Sequence, residues 1–80
     1  MHKHYIYRSD ELIAVLSGDA LVDMFDTIKE FIVSDINAQK NFNTAPSVRL
    51  SELTEGDEAV FVGTADSDTY TYTVKSSWQS

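Results

Sequence analysis

The sequence predicts a small two-layer α+β domain: an antiparallel sheet of three to four strands with two helices packed on one face, in the order β-α-α-β-β. Three observations carry this. Side chains alternate with period two near both ends of the chain, and apolar residues recur at helical spacing across 21–36. At 80 residues, the chain holds one modest core and no second domain, so residues 1–80 are read as a single unit.

Residues 3–8 place Tyr5 and Tyr7 on one side and His4, Ile6 and Arg8 on the other, with β-favouring types throughout, and predict a first strand. Ser9 followed by Asp10 and Glu11, then the apolar run 12–16, predicts a short helix: a hydroxyl cap with carboxylates over the free N–H groups of the first turn. Gly18 ends it. Asp19 is then placed to cap a longer helix reaching about residue 38. Stepping 100° per residue gathers Leu21, Phe25, Ile28, Ile32 and Ile36 into one arc, widened by Met24 and Phe31.

From 39 to 47 the chain turns polar, with Asn41, Asn43, Thr44 and the single proline, Pro46, and reads as a surface connector. Residues 48–53 fit a short strand or a turn of helix, and Thr54, Glu55, Gly56 and Asp57 a tight turn. Residues 58–63, with Ala59, Val60, Phe61 and Val62 apolar on both sides, predict a strand placed centrally in the sheet. After a loop at 64–68, Tyr70, Tyr72 and Val74 alternate with Thr69, Thr71 and Thr73 in the second arm of a hairpin. The expected core is Tyr5, Tyr7, Leu12, Leu16, Leu21, Phe25, Ile28, Ile32, Ile36, Val60, Phe61, Val62, Tyr70, Tyr72 and Val74. Trp78 and Phe42 read as lids over apolar surface, with an interface anchor as the alternative for each. The threonine row at 69, 71 and 73 reads as a solvated sheet face, or as an edge strand able to pair with a partner or a second copy.

Catalytic chemistry finds little support. The two histidines, His2 and His4, lie near a terminus with no nucleophile and orienting group in view, and the three glycines are isolated from one another, so neither a triad nor a phosphate cradle is expected. His2 and His4 share a strand face, but a metal site there needs a carboxylate from elsewhere, and they read as solvated. Asp66, Ser67 and Asp68 open like a calcium loop without its later glycine and glutamate, and read as a polar hairpin loop. No enzyme activity, cofactor or metal is expected. With no cysteine, disulfides and thiol chemistry are excluded. The longest apolar runs are far short of the roughly 20 residues that span a bilayer, and no secretion signal is visible, so a cytoplasmic location is expected.

Charge is the informative feature. Thirteen acidic residues against six basic ones give a net charge of −7, which disfavours direct contact with nucleic acid or an anionic membrane and favours a basic partner. Asp19, Asp23, Asp26 and Glu30 form a stripe on the long helix opposite its apolar arc, with carboxylates spaced by roughly 4.5 to 6 Å, close to a phosphate ladder. Glu30 in mid-helix and Asp35 near the end gain nothing from the helix dipole, so something other than helix stability holds them there. Glu52, Glu55, Asp57, Glu58, Asp66 and Asp68 add a second acidic set around the hairpin loops.

In size, acidity and lack of cysteine or catalytic residues, the chain resembles the small inhibitors encoded by phages and other mobile elements, including anti-CRISPR and DNA-mimic proteins. The resemblance implies a protein that blocks a basic nucleic-acid-binding site on a host defence or nucleic-acid-processing complex in the host cytoplasm. Its partner-binding residues are expected to be Asp19, Asp23, Asp26, Glu30, Glu55, Asp57, Glu58, Asp66 and Asp68. The alternative is an accessory subunit without enzymatic activity, assembling through a hairpin edge or an apolar patch around Trp78, with a homodimer through an edge strand as one form.

Overall fold

The computed structural model describes residues 1–39, 41, 43–55 and 57–79. Five strands and one α-helix follow in the order β-β-α-β-β-β: β1 (His2–Arg8), β2 (Glu11–Gly18), a single 3-10 turn (Leu21–Met24), α1 (Phe25–Gln39), β3 (Ser47–Thr54), β4 (Glu58–Ala65) and β5 (Asp68–Trp78). The strands form one antiparallel sheet in the order β2-β1-β5-β4-β3, and α1 covers one of its faces. The expected two-helix, three- to four-stranded layout is therefore corrected to one helix on five strands.

The error lies at residues 9–18. A ten-residue segment makes a marginal helix on its own, and Ile13 and Val15 are β-branched. Paired with β1, the same residues join a full ladder from His2 opposite Gly18 to Arg8 opposite Glu11. Ser9 and Asp10 form the two-residue loop of this hairpin, with Ser9 at φ 55°. Short polar side chains favour hairpin loops and helix caps alike, because both leave backbone groups for them to satisfy. Ile13 is the bulged residue between the pairs Ile6–Ala14 and Tyr7–Leu12, and it packs against the core.

The long helix begins later than expected. Ala20, not Asp19, precedes the 3-10 turn as its N-cap, and no side chain caps it. Leu21, Ile28, Ile32 and Ile36 are buried against the sheet, and Met24, Phe25 and Phe31 flank them. Phe25 meets Phe61 edge to face, with ring centroids 5.8 Å apart. Helix and sheet approach most closely at Gly63, where a Cβ would collide with Ile36 Cδ1.

Tyr72 and Val74 face the helix as expected, but the side of β1 that does so differs from the expectation. The core face carries His4 and Ile6 from β1, Ala59, Phe61 and Ala65 from β4, and Tyr72 and Val74 from β5. Tyr5, Tyr7, Val60 and Val62 are half-buried on the opposite, open face, and Leu12 is exposed. His4 can be buried because both ring nitrogens have partners: the Asp19 carbonyl lies 2.8 Å from Nε2 and the Ser76 hydroxyl 2.6 Å from Nδ1. The carbonyl can only accept, so Nε2 donates.

Residues 48–53 belong to a full edge strand, β3. Strand β5 pairs with β4 from Asp68 to Lys75 and with β1 from Tyr72 to Trp78, so Thr73 lies inside the sheet while Thr69 and Thr71 precede the ladder with β1; the outer strands are β2 and β3. No helix among the described residues is long and apolar enough to cross a membrane.

Candidate protein-binding surfaces

Burying Ile28, Ile32 and Ile36 fixes the rotation of α1 and so decides what it shows to solvent. Glu30 lies almost opposite the isoleucines and Asp26 on the flank beside it, with Asp23 in the preceding 3-10 turn, and all three are exposed. Asp19 is exposed just ahead of the turn. Among the described residues there are two ion pairs, Arg8–Glu11 at 3.4 Å and Arg8–Asp35 at 2.9 Å, so none of these four carboxylates is neutralised by the protein's own cations. Asp23, Asp26 and Glu30 form an exposed negative ridge along the 3-10 turn and α1, with Asp19 exposed ahead of it.

The hairpin carboxylates do not extend it as a single patch. Glu55, Asp57 and Glu58 sit where β3 turns into β4, at the end of the sheet that also holds the start of β1, the end of β2 and the end of β5. Asp19 follows directly from β2 at that same end. Asp66 and Asp68 sit at the other end, about 23 Å away along β4 at ~3.3 Å per residue. Asp66 is committed to the fold. With φ 55° it turns the β4–β5 loop, and its carboxylate accepts from the Asn43 backbone N–H at 3.1 Å and the Thr44 hydroxyl at 3.2 Å, tethering the connector. Asp68 is half-buried at the start of β5 and opposite Ala65. Glu58 is half-buried on the open face, opposite Lys75 in register. Of the expected partner-binding carboxylates, those left exposed and unpaired among the described residues are thus Asp19, Asp23, Asp26, Glu30, Glu55 and Asp57.

Asp35 is the exception on the helix. Its carboxylate receives both oxygens' worth of contact from Arg8, at 3.1 and 2.9 Å, and accepts a 2.6 Å hydrogen bond from the Tyr72 hydroxyl; Gln39 closes the group at 3.3 Å from that hydroxyl. Asp35 and Arg8 side chains are 17% and 32% exposed, so solvent screens the pair only in part. Burial, then the hydrogen bond and charge of Asp35, push the Tyr72 hydroxyl well above the ordinary tyrosine range, while Asp35 raises Arg8 further. The latch ties the last turns of α1 to β1 and β5. A signal for it was present: Arg8 shares the parity of His4 and Ile6, and a cation on a core-facing row needs a carboxylate partner.

The open sheet face differs in character. It carries Lys3, Arg49 and Lys75, half of the six basic residues, among Tyr5, Tyr7, Val60, Val62 and the threonines of β5. Lys75 Nζ stands 5.6 Å from the Tyr7 ring centroid. Glu52 and Glu58 lie on the same face and Asp10 borders it, so the molecule has an acidic helix layer and a sheet face of mixed charge.

Trp78 covers no core. It is 66% exposed, packed edge to face against His2 at 4.7 Å, and walls a notch of about 410 Å³ with His2, Leu21, Asp57, Ser76 and Ser77. His2 stacks parallel to His4 at 6.2 Å, and no group of three potential ligands among the described residues is placed to hold a metal ion. Phe42 and Gly56 lie outside the described residues. Compared with protein-family models, curated proteins and solved structures, the chain matches none.

Proposed function

We propose that this protein is a non-catalytic binding protein that sets its acidic helix ridge against a basic, nucleic-acid-binding surface of a partner, in the manner of an inhibitor. One observation carries the reading: Asp26 and Glu30 on α1, Asp23 in the 3-10 turn and Asp19 just ahead of it stand exposed and, among the described residues, unneutralised, while the isoleucine side of the helix is locked into the core. Like charges at these spacings cost a helix about 0.2–0.5 kcal/mol per pair, so they do not serve its stability. Held at near-phosphate spacing on a rigid element, they offer a basic groove charge-assisted hydrogen bonds and steer its approach.

The test is capture of the partner from host extract, followed by competition with an oligonucleotide and a salt series. The expected partner is displaced by the oligonucleotide, binds with an on-rate that falls steeply from low to moderate ionic strength, and is lost to a Asp23→Asn/Asp26→Asn/Glu30→Gln variant. Binding indifferent to salt, competitor and triple variant refutes the reading.

A second reading, an accessory subunit assembling through the β2 or β3 edge or the Trp78 patch, draws support from the exposure of Leu12, Val15 and Trp78. Its sign is association that persists at high salt and is lost in Trp78→Ala.

A further inference from the structure

We infer that the Trp78 notch is a subsite for one arginine side chain of the partner protein. The inference deepens the proposed basic-partner reading by naming the residue type that the end of the molecule receives.

The notch joins what a guanidinium needs. Trp78 offers an exposed indole, and the contact with His2 restricts its rotation. Tryptophan is the aromatic ring that attracts a cation over its face most strongly, and the planar, weakly hydrated guanidinium stacks there better than an ammonium. Asp57 stands on the rim with its backbone pinned by hydrogen bonds to Thr54 and Ser76, while its carboxylate enters no hydrogen bond or ion pair among the described residues. Leu21 supplies an apolar wall for the arginine methylenes, and the Ser76–Ser77 wall supplies polar groups. Among the described residues no lysine or arginine lines the cavity: Lys3 and Lys75 point to the other side of the sheet, and the terminal ammonium is bound to the Gln79 carbonyl at 2.7 Å. Its volume falls at the lower end of the roughly 300–1,000 Å³ of small-ligand sites. Asp19 precedes the Ala20–Leu21 wall, which makes the notch continuous with the head of the ridge.

Trp78 is the only tryptophan in the chain, so its fluorescence reads this site alone. The probe is the blocked tripeptide acetyl-Gly-Arg-Gly-amide, with its citrulline counterpart as the uncharged isostere. The expected result is a saturable fluorescence change with the arginine peptide, with amide NMR shifts at Leu21 and Ser77. Binding is weaker by about three- to tenfold for citrulline and by about threefold in Asp57→Asn. In Trp78→Ala, followed by NMR, the shifts at Leu21 disappear while the remaining spectrum stays dispersed. The Asp23→Asn/Asp26→Asn/Glu30→Gln variant binds the peptide as the natural chain does, which separates this subsite from the ridge. Equal response to arginine and citrulline, no effect of Asp57→Asn, or loss of binding in the ridge variant overturns the inference.

Discussion

Two sets of carboxylates on one helix have opposite fates. Asp35, in the penultimate turn, is turned toward the sheet and consumed by Arg8, Tyr72 and Gln39. Asp23, Asp26 and Glu30, toward the other end and on the other side, meet none of the protein's own cations among the described residues. The difference separates a charge that the fold requires from charges that the fold merely carries. Half-buried carboxylates are retained by what they hold together; exposed unpaired ones are retained, in the proposed reading, by something outside the chain.

The largest expected effect breaks the seat on which both sets depend. Ile32→Ala empties fully buried space between helix and sheet and is expected to destabilise the protein by about 3 kcal/mol, measured by chemical denaturation. Gly63→Val, which drives a branched side chain into Ile36, is expected to cost about 2 kcal/mol through overpacking. Asp35→Ala attacks the latch alone. It leaves Arg8 and Tyr72 without their common acceptor and is expected to cost about 2 kcal/mol, less than a wholly buried pair because Arg8 still reaches water. An unchanged denaturation midpoint in Asp35→Ala places Asp35 with the ridge residues and erases the distinction.

Tyr72→Phe, removing one hydrogen bond of the latch, is expected to cost about 1 kcal/mol in the same measurement. It also sharpens the comparison through pH. The hydroxyl ionises less readily in the folded state than in the unfolded chain, so its contribution is fully present below the ordinary tyrosine value of about 10 and is lost as pH rises beyond it. Stability should therefore fall above that pH in the natural chain, and the fall should shrink in Tyr72→Phe. The smallest effect belongs to the ridge: Asp23→Asn/Asp26→Asn/Glu30→Gln should leave stability within about 0.5 kcal/mol, or raise it slightly by relieving like-charge repulsion. A large loss there would mean that the ridge is structural after all.

The latch and the notch show where the reading of residues stops. Arg8 on the His4–Ile6 row and Asp35 against the helix dipole are each anomalous in the sequence, but they are 27 residues apart, and nothing local pairs them. Trp78 and Asp57 are also remote in sequence, and they meet because β5 runs past the β3–β4 loop. The acidic hairpin set read as one group divides between two ends of the sheet for the same reason: strand direction, not proximity in sequence, places a loop.

The long helix, the stripe opposite its isoleucines, the 58–63 strand and the tyrosine–threonine strand were determined by the sequence alone, because a 3.6-residue or two-residue period over several repeats admits one solution. Tertiary structure alone decided that 11–18 is a strand, that β5 lies in the middle of the sheet, and that His4 and Ile6 rather than Tyr5 and Tyr7 face the helix. In each of these cases local preference is nearly balanced, and the outcome rests on partners distant in the chain: a hairpin ladder with β1, neighbours on both sides of β5, and two hydrogen-bond acceptors or donors that make a buried histidine acceptable.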